Sequence, residues 1–311
     1  MSKYTVEELI ALLEKKDRRA FARALSLIEN KGDDVMKILN YSYRNMTDHA
    51  LVIGITGPGG AGKSTTIDKV IKEFRAEGKK VGVIAVDPSS PYTGGAFLGD
   101  RVRMGNHNID QNVFIRSFAS RGAMGGISDS TKSALYLYKS YDFDVIIIES
   151  LGIGQDETEI TNFVDVTVVA VVPGFGDAIQ MAKAGMQEIA DIFVINKADR
   201  PDAEEFYHQM LNSMSMIPEE LRPVILKTVA SNSVGIKELV EQIAIVGQKN
   251  MAKRARKAVN RIKAEIKADL VFLMEGKVKS AIDCMSEKVF HSEATPFEVS
   301  QEIFHNIEFH I

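Results

Sequence analysis

Gly57-Pro58-Gly59-Gly60-Ala61-Gly62-Lys63-Ser64 fits the spacing G-x-x-x-x-G-K-[ST]. Its chemistry is phosphate binding. Glycines let successive backbone N–H groups curl around anionic oxygens, and a following helix presents its positive end to them. Lys63 is expected to reach the β/γ oxygens of a nucleotide, and the Ser64 hydroxyl to ligate Mg²⁺, with Thr65 completing the phosphate-binding string. A glycine-rich turn before a helix is the plain alternative. Here the context the motif needs is present: the apolar run Leu51-Val52-Ile53-Gly54-Ile55 precedes it, and Ile67, Val70 and Ile71 follow at helical spacing.

A second string, Asn196-Lys197-Ala198-Asp199, follows Ile192-Phe193-Val194-Ile195. A carboxylate at Asp199 can accept from both N1–H and the 2-amino group of guanine. Adenine has no 2-amino group and an unprotonated N1, so it would face acceptor with acceptor. Sites built around a donor that the competitor lacks discriminate strongly. Lys197 can lay its aliphatic stem against the base plane. Val229-Ala230-Ser231, after Val224–Leu226, is expected to add a second base contact through backbone N–H groups.

Three acids stand at strand ends or on the loops beyond them, where ligands bind in parallel α/β sheets. Asp87 ends Val81–Val86, Asp100 lies in Gly94-Gly95-Ala96-Phe97-Leu98-Gly99-Asp100, and Glu149 ends Asp144–Ile148. Any one alone reads as an ordinary exposed carboxylate. Beside the phosphate string, they supply the oxygens a hard cation needs, directly or through its waters. Gly152 permits close backbone approach to a γ-phosphate, and such a loop can rearrange when that phosphate leaves. Gln155 either orients an attacking water or is structural.

The elements that must position these residues follow from hydrophobic patterning. Near-continuous Val/Ile runs at Ala50–Thr56, Val81–Val86, Val145–Ile148, Val166–Val172, Ile192–Ile195 and Val224–Leu226 alternate with helical stretches. This is the signature of a mainly parallel sheet covered on both faces. Residues 5–48 read as helices, opened by a capping box at Thr5-Val6-Glu7-Glu8 and broken at Gly32-Asp33-Asp34. From Ile236 to about Met274 the chain reads as long helix, partly basic through Lys253, Arg254, Arg256, Lys257, Arg261 and Lys263, which is read as a solvated face. The expected organisation is an N-terminal helical segment (1–48), a P-loop domain (49–235) and a C-terminal helical extension (236–311).

Composition narrows the classes. At 311 residues, 45% hydrophobic and 26% charged, the chain is an ordinary globular protein, and a spread net charge of −4 gives no reason to expect a nucleic-acid partner. Cys284 is the single cysteine, which excludes an internal disulfide framework and fits a reducing compartment. The N-terminus lacks a basic-then-apolar leader, and the longest apolar run, Phe163–Val172, is too short to span a bilayer and contains Asp165. A cytoplasmic protein without a membrane partner is expected.

Taken together, the strings resemble the MeaB/ArgK-type GTPases, chaperones of adenosylcobalamin-dependent acyl-CoA mutases. The resemblance runs through Gly57 to Asp68, Val86-Asp87-Pro88-Ser89-Ser90, and Gly94-Gly95 to Leu98-Gly99-Asp100-Arg101-Val102-Arg103-Met104. It continues in Glu149-Ser150-Leu151-Gly152-Ile153-Gly154-Gln155, Pro173-Gly174-Phe175-Gly176-Asp177 and Asn196–Asp199, and reaches back to Arg19–Glu29. It implies a SIMIBI-type P-loop NTPase fold with helical extensions at both ends. It also implies magnesium held with Asp87, Asp100 and Glu149, and a nucleotide-signalling loop at Pro173–Lys183. A homodimer supported by the C-terminal helices is implied too, with methylmalonyl-CoA mutase as the default partner. Cobalamin enters only through that partner, since no Asp-x-His-x-x-Gly string occurs. Departures are Ser150-Leu151 where Thr-Val is usual, Val229 where Ser is common, and the tail after about Gly276.

Intrinsic turnover of such enzymes is slow, and a partner that completes the charge stabilisation accelerates it by about 10³–10⁵-fold. Arg101, Arg103, Arg116 and Arg121, read as lying in glycine-rich or polar stretches, are the arginines to consider. Two alternatives compete. A metal-delivery GTPase would need Cys or His clusters, and the six histidines form none in the sequence. A small-molecule kinase or transport ATPase would need a second substrate pocket, and Asn196–Asp199 argues against ATP.

Overall fold

The computed structural model describes residues 4–30, 32, 34–87, 107, 109–120, 128–150, 157–174, 186–215 and 217–250. Asp100, Arg101, Arg103, Arg121, Gly152, Gln155, Cys284 and most of Pro173–Lys183 lie outside the described residues, as does the basic stretch from Lys253. Contacts divide the chain into Met1–Arg254 and Ala255–Ile311, and every described residue belongs to the first unit.

Three helices open it: α1 (Val6–Glu14), α2 (Arg18–Glu29) and α3 (Val35–Asn45). The expected capping box caps the start of α1, with Thr5 Oγ1 accepting from Glu8 N and Glu8 Oε2 accepting from Thr5 N. Then come β1 (Leu51–Thr56), α4 (Lys63–Ala76), β2 (Val81–Asp87), β3 (Val113–Ala119), α5 (Asp129–Ser140) and β4 (Val145–Glu149). They are followed by β5 (Val166–Val171), α6 (Met186–Ile189), β6 (Ile192–Ile195), α7 (Ala203–Ser213) and β7 (Val224–Lys227). A last helix, α8, occupies 236–250 of the described residues.

The seven strands form one sheet in the order β3-β2-β4-β1-β5-β6-β7, and every pairing is parallel. Because strand side chains alternate between faces, each strand feeds two cores. Ile53 and Ile55 of β1, Val145 and Ile147 of β4, and Val166 and Val168 of β5 pack with α4 and α8 through Ile67, Val70, Ile71, Leu239 and Ile243. On the opposite face, Val52, Ile84, Ile146 and Ile148 meet α1–α3 and α5, while Val169, Val171, Phe193 and Ile195 meet α7.

β3 is the strand that patterning did not announce. Val113-Phe114-Ile115-Arg116-Ser117-Phe118-Ala119 places a charge and a hydroxyl at its centre, as an edge strand can. Arg116 therefore sits on a strand and not in a polar loop, and its Nη2 donates to Glu29 Oε2 of α2 at 2.9 Å. An aromatic cluster secures the same edge: Phe21 of α2 meets Phe114, Tyr138, Tyr141 and Phe143 with centroids 4.8, 5.0, 4.1 and 5.9 Å away.

The bottom of the sheet uses one device three times. An aspartate just before a strand accepts an N–H from the next strand over: Asp144 from Lys80, Asp165 from Val52 and Asp191 from Thr167, at 2.7–2.8 Å. These bonds satisfy donors at the ends of the ladders, and explain the aspartate inside the apolar run Phe163–Val172. No helix among the described residues is long and apolar enough to cross a membrane.

Candidate functional site

The site lies at the carboxyl ends of β1, β2, β4, β5, β6 and β7, where the loops converge. At its centre is the turn from β1 into α4. Gly57 has φ +139°, and a Cβ there would lie 2.0 Å from the carbonyl oxygen of Ala170 on β5. Gly62 has φ +87°, and its Cβ would lie 2.3 Å from Asn196 Nδ2. The glycines are thus required by close approach as well as by backbone conformation. Pro58 and Ala61 are buried, Gly59 and Gly60 exposed, so the loop offers its outer rim to solvent.

Lys63 folds back over this loop, with Nζ donating to the carbonyls of Gly57 at 2.7 Å and Pro58 at 3.2 Å. Its charge is thereby held above the glycine-rich turn at the head of α4, where anions are favoured. Ser64 Oγ donates to Glu149 Oε1 at 2.8 Å, which brings the end of β4 onto the first turn of α4. Thr65 is exposed on that turn. Asp87 is buried at the end of β2, the strand beside β4, and its backbone carbonyl accepts from Ser120 N at 2.9 Å. Ser64 and Glu149 are thus in contact beside the phosphate loop and Asp87 ends the neighbouring strand, all three bearing oxygens of the type a hard cation uses.

The second string converges on the same loop from the other side. Asn196 is buried, and its amide works in both directions. Nδ2 donates to Ala61 O at 2.9 Å, while Oδ1 accepts from Thr228 Oγ1 at 3.2 Å and Ala230 N at 3.1 Å. Lys197, in a left-handed conformation with φ +56°, donates from Nζ to Gly60 O at 3.0 Å. The Asp199 carboxylate is exposed and makes no hydrogen bond among the described residues. In the third string, Val229 N donates to Val234 O and Ala230 N to Asn196, so these N–H groups brace the loop, and Ser231 is exposed. Thr228, not foreseen from sequence, links both ends of the arrangement: its hydroxyl donates to Asn196 and its carbonyl accepts from Ala198 N at 3.0 Å.

Behind the phosphate loop, Asp68 of α4 gathers charge. Oδ1 lies 2.9 Å from His107 Nε2, and Oδ2 lies 3.3 Å from both Lys69 and Lys72. Burial raises the Asp68 carboxyl, but hydrogen bonds from Lys72 and Lys69 outweigh it and hold the group below the usual aspartate value.

Residues 21–285 match the family described as methylmalonyl-CoA mutase-associated GTPase MeaB. The chain belongs to the MeaB family of GTPases. Among its MeaB-type relatives is a Pyrococcus horikoshii protein assigned as a GTPase, 41% identical over 312 residues, covering 97% of this chain and 98% of that protein. Escherichia coli GTPase ArgK is 35% identical over 244 residues, covering 76% of this chain and 74% of ArgK. A fused isobutyryl-CoA mutase of Cupriavidus metallidurans is 36% identical over 207 residues, covering 66% of this chain and 19% of that longer protein. A crystal structure of a LAO/AO transport system kinase superposes with a TM-score of 0.65 and 23% identity over 98% of each chain, which supports the P-loop fold.

Proposed function

We propose that this GTPase acts with magnesium as the gate for an adenosylcobalamin-dependent acyl-CoA mutase, controlling loading, protection and reactivation of its cofactor. The observation that carries the mutase link is the Cupriavidus metallidurans relative, in which a region like this chain and a protein named a mutase share one polypeptide. Methylmalonyl-CoA mutase, named in the family description, is the partner of first choice.

In this reading Gly57–Thr65 cradles the phosphates and Lys63 leaves its loop carbonyls for the β/γ oxygens. Asp199 reads guanine, with Lys197 along the base and Asn196 fixing the distance between base and phosphate sites. Ser64, Asp87 and Glu149 fit the magnesium ion, with Asp100 joining them. Bound there, the ion supplies charge neutralisation on the phosphates. Gly152 and Gln155 would meet the γ-phosphate and the attacking water, and the exposed Ser231 offers the second base contact. We further assign the protein to the cytoplasm and to a homodimer built on residues 236–311.

The experiment is to add purified methylmalonyl-CoA mutase to the protein. Faster GTP turnover together with GTP-dependent mutase reactivation is expected. If neither rate changes, the gating role is wrong for that partner.

A further inference from the structure

The base-reading string is pinned on three sides up to Ala198. Asn196 N donates to Val171 O of β5 at 2.8 Å, Lys197 Nζ to Gly60 O of the phosphate loop, and Ala198 N to Thr228 O beyond β7. Asp199 comes next, exposed and making no hydrogen bond of its own among the described residues. Its direction is therefore set by whatever holds the chain on its far side.

That hold is Arg200. Its N–H donates to Lys197 O at 3.1 Å, closing the turn, and its carbonyl accepts from Ala203 N at 3.1 Å as α7 begins. Its guanidinium crosses to the neighbouring loop, where Nη1 donates to Pro173 O at 2.9 Å in a half-buried contact. The receiving turn takes a left-handed residue and stands in ordinary contact with the start of α7. Gly174 has φ +79°, and a Cβ there would stand 3.4 Å from Asp202 Oδ2. The bond joins the loop after β5 to the loop after β6, adjacent strands of the sheet.

We propose that Arg200 is a positioning residue for base selectivity: by tying the base-reading turn to Pro173, it holds Asp199 where both donors of guanine can reach it. This rests on the reading of Asp199 as the guanine contact. In this reading Arg200 acts through Asp199, with its guanidinium engaged on Pro173 O and not on the nucleotide. A charged hydrogen bond of this type contributes enough that its loss is read as a change of about tenfold in affinity.

The test compares equilibrium binding of GDP and inosine 5′-diphosphate, which lacks the 2-amino group, to the full chain with magnesium. Wild-type protein is expected to prefer GDP by about tenfold or more. Arg200→Met removes the donors but keeps the apolar stem. It should weaken GDP about tenfold and inosine diphosphate much less, so the preference shrinks, with the thermal midpoint little changed. Arg200→Lys, which can still donate to Pro173 O, should recover most of the preference; Arg200→Leu, equally without donors, takes the place of the methionine form, with the same expected loss, if that form does not fold. An Arg200→Met protein with the wild-type preference intact, whatever its overall affinity, or one that loses both nucleotides equally, overturns the proposal, as does an Arg200→Lys protein whose preference falls as far as that of the methionine form. A wild-type protein that binds both diphosphates alike overturns the base reading itself, and the role of Arg200 with it.

Discussion

A single amide, Asn196, makes the site one object. It connects the phosphate loop at Ala61 with the loop after β7 at Thr228 and Ala230, and it is buried. Removing its side chain strands several polar groups away from water, at about 1–3 kcal/mol for each group left without a partner. Asn196→Ala should therefore lower stability in urea denaturation by about 2 kcal/mol or more and weaken GDP binding in calorimetry. Intact stability with normal affinity would show that the strut is dispensable. A second residue-scale prediction concerns pH. A hydrogen bond from Arg75 holds the Asp110 carboxyl below its ordinary value of 3.8, against the opposing pull of burial and with help from Asn112 N. A carboxyl whose value falls on folding contributes stability that is full above 3.8 and lost as pH drops through the lower, folded value. The advantage of wild-type protein over Asp110→Asn should thus be constant at pH 5–7 and shrink below about pH 4, as read from unfolding midpoints across that range.

At the scale of elements, close packing decides which residues are irreplaceable. Gly82 on β2 leaves room for Tyr138 of α5: a Cβ there would lie 2.5 Å from Tyr138 Cδ1 and 3.1 Å from a Phe143 carbon. Tyr138 is held in turn by its hydroxyl on Val83 O at 3.0 Å. Gly82→Ala should push α5 off the sheet and cost about 1–3 kcal/mol, the range for overpacked cores, measured by denaturant unfolding. Elements like these were largely legible in advance. Val/Ile runs that alternate with helical spacing announce parallel strands because both faces of such strands must be covered. β3 was not legible, because Arg116 and Ser117 interrupt its apolar run. What permits a charge there is Glu29, 87 residues away in sequence, and no local pattern carries that information. The same limit applies within the site. The glycines, Lys63, Ser64 and Asn196–Asp199 stand out by type and spacing, whereas Thr228 and Arg200 act through contacts that the fold alone creates.

For the molecule as a whole, the three N-terminal helices are part of the core and not an appendage. Leu9, Leu13, Phe21, Leu25 and Ile38 share one cluster with Ile84, Phe114, Tyr138 and Ile146. A chain starting at residue 49 would expose that surface and the β3 edge, so it should be insoluble or lose cooperative unfolding. A soluble, cooperatively folded truncation would assign these helices to a separate unit. The wider claim is that one pocket, assembled from six strand ends, selects a guanine nucleotide through the carboxylate of Asp199. Exchange of that acceptor for a mixed amide tests it most directly. In calorimetry with magnesium, wild-type protein should bind GDP, leaving ADP and xanthosine 5′-diphosphate weaker by about 100-fold or more. Asp199→Asn should lose GDP and gain xanthosine diphosphate, whose 2-oxo group can accept from the new amide. Equal binding of GDP and ADP by the wild type, or an Asp199→Asn protein whose preference is unchanged, would contradict the account.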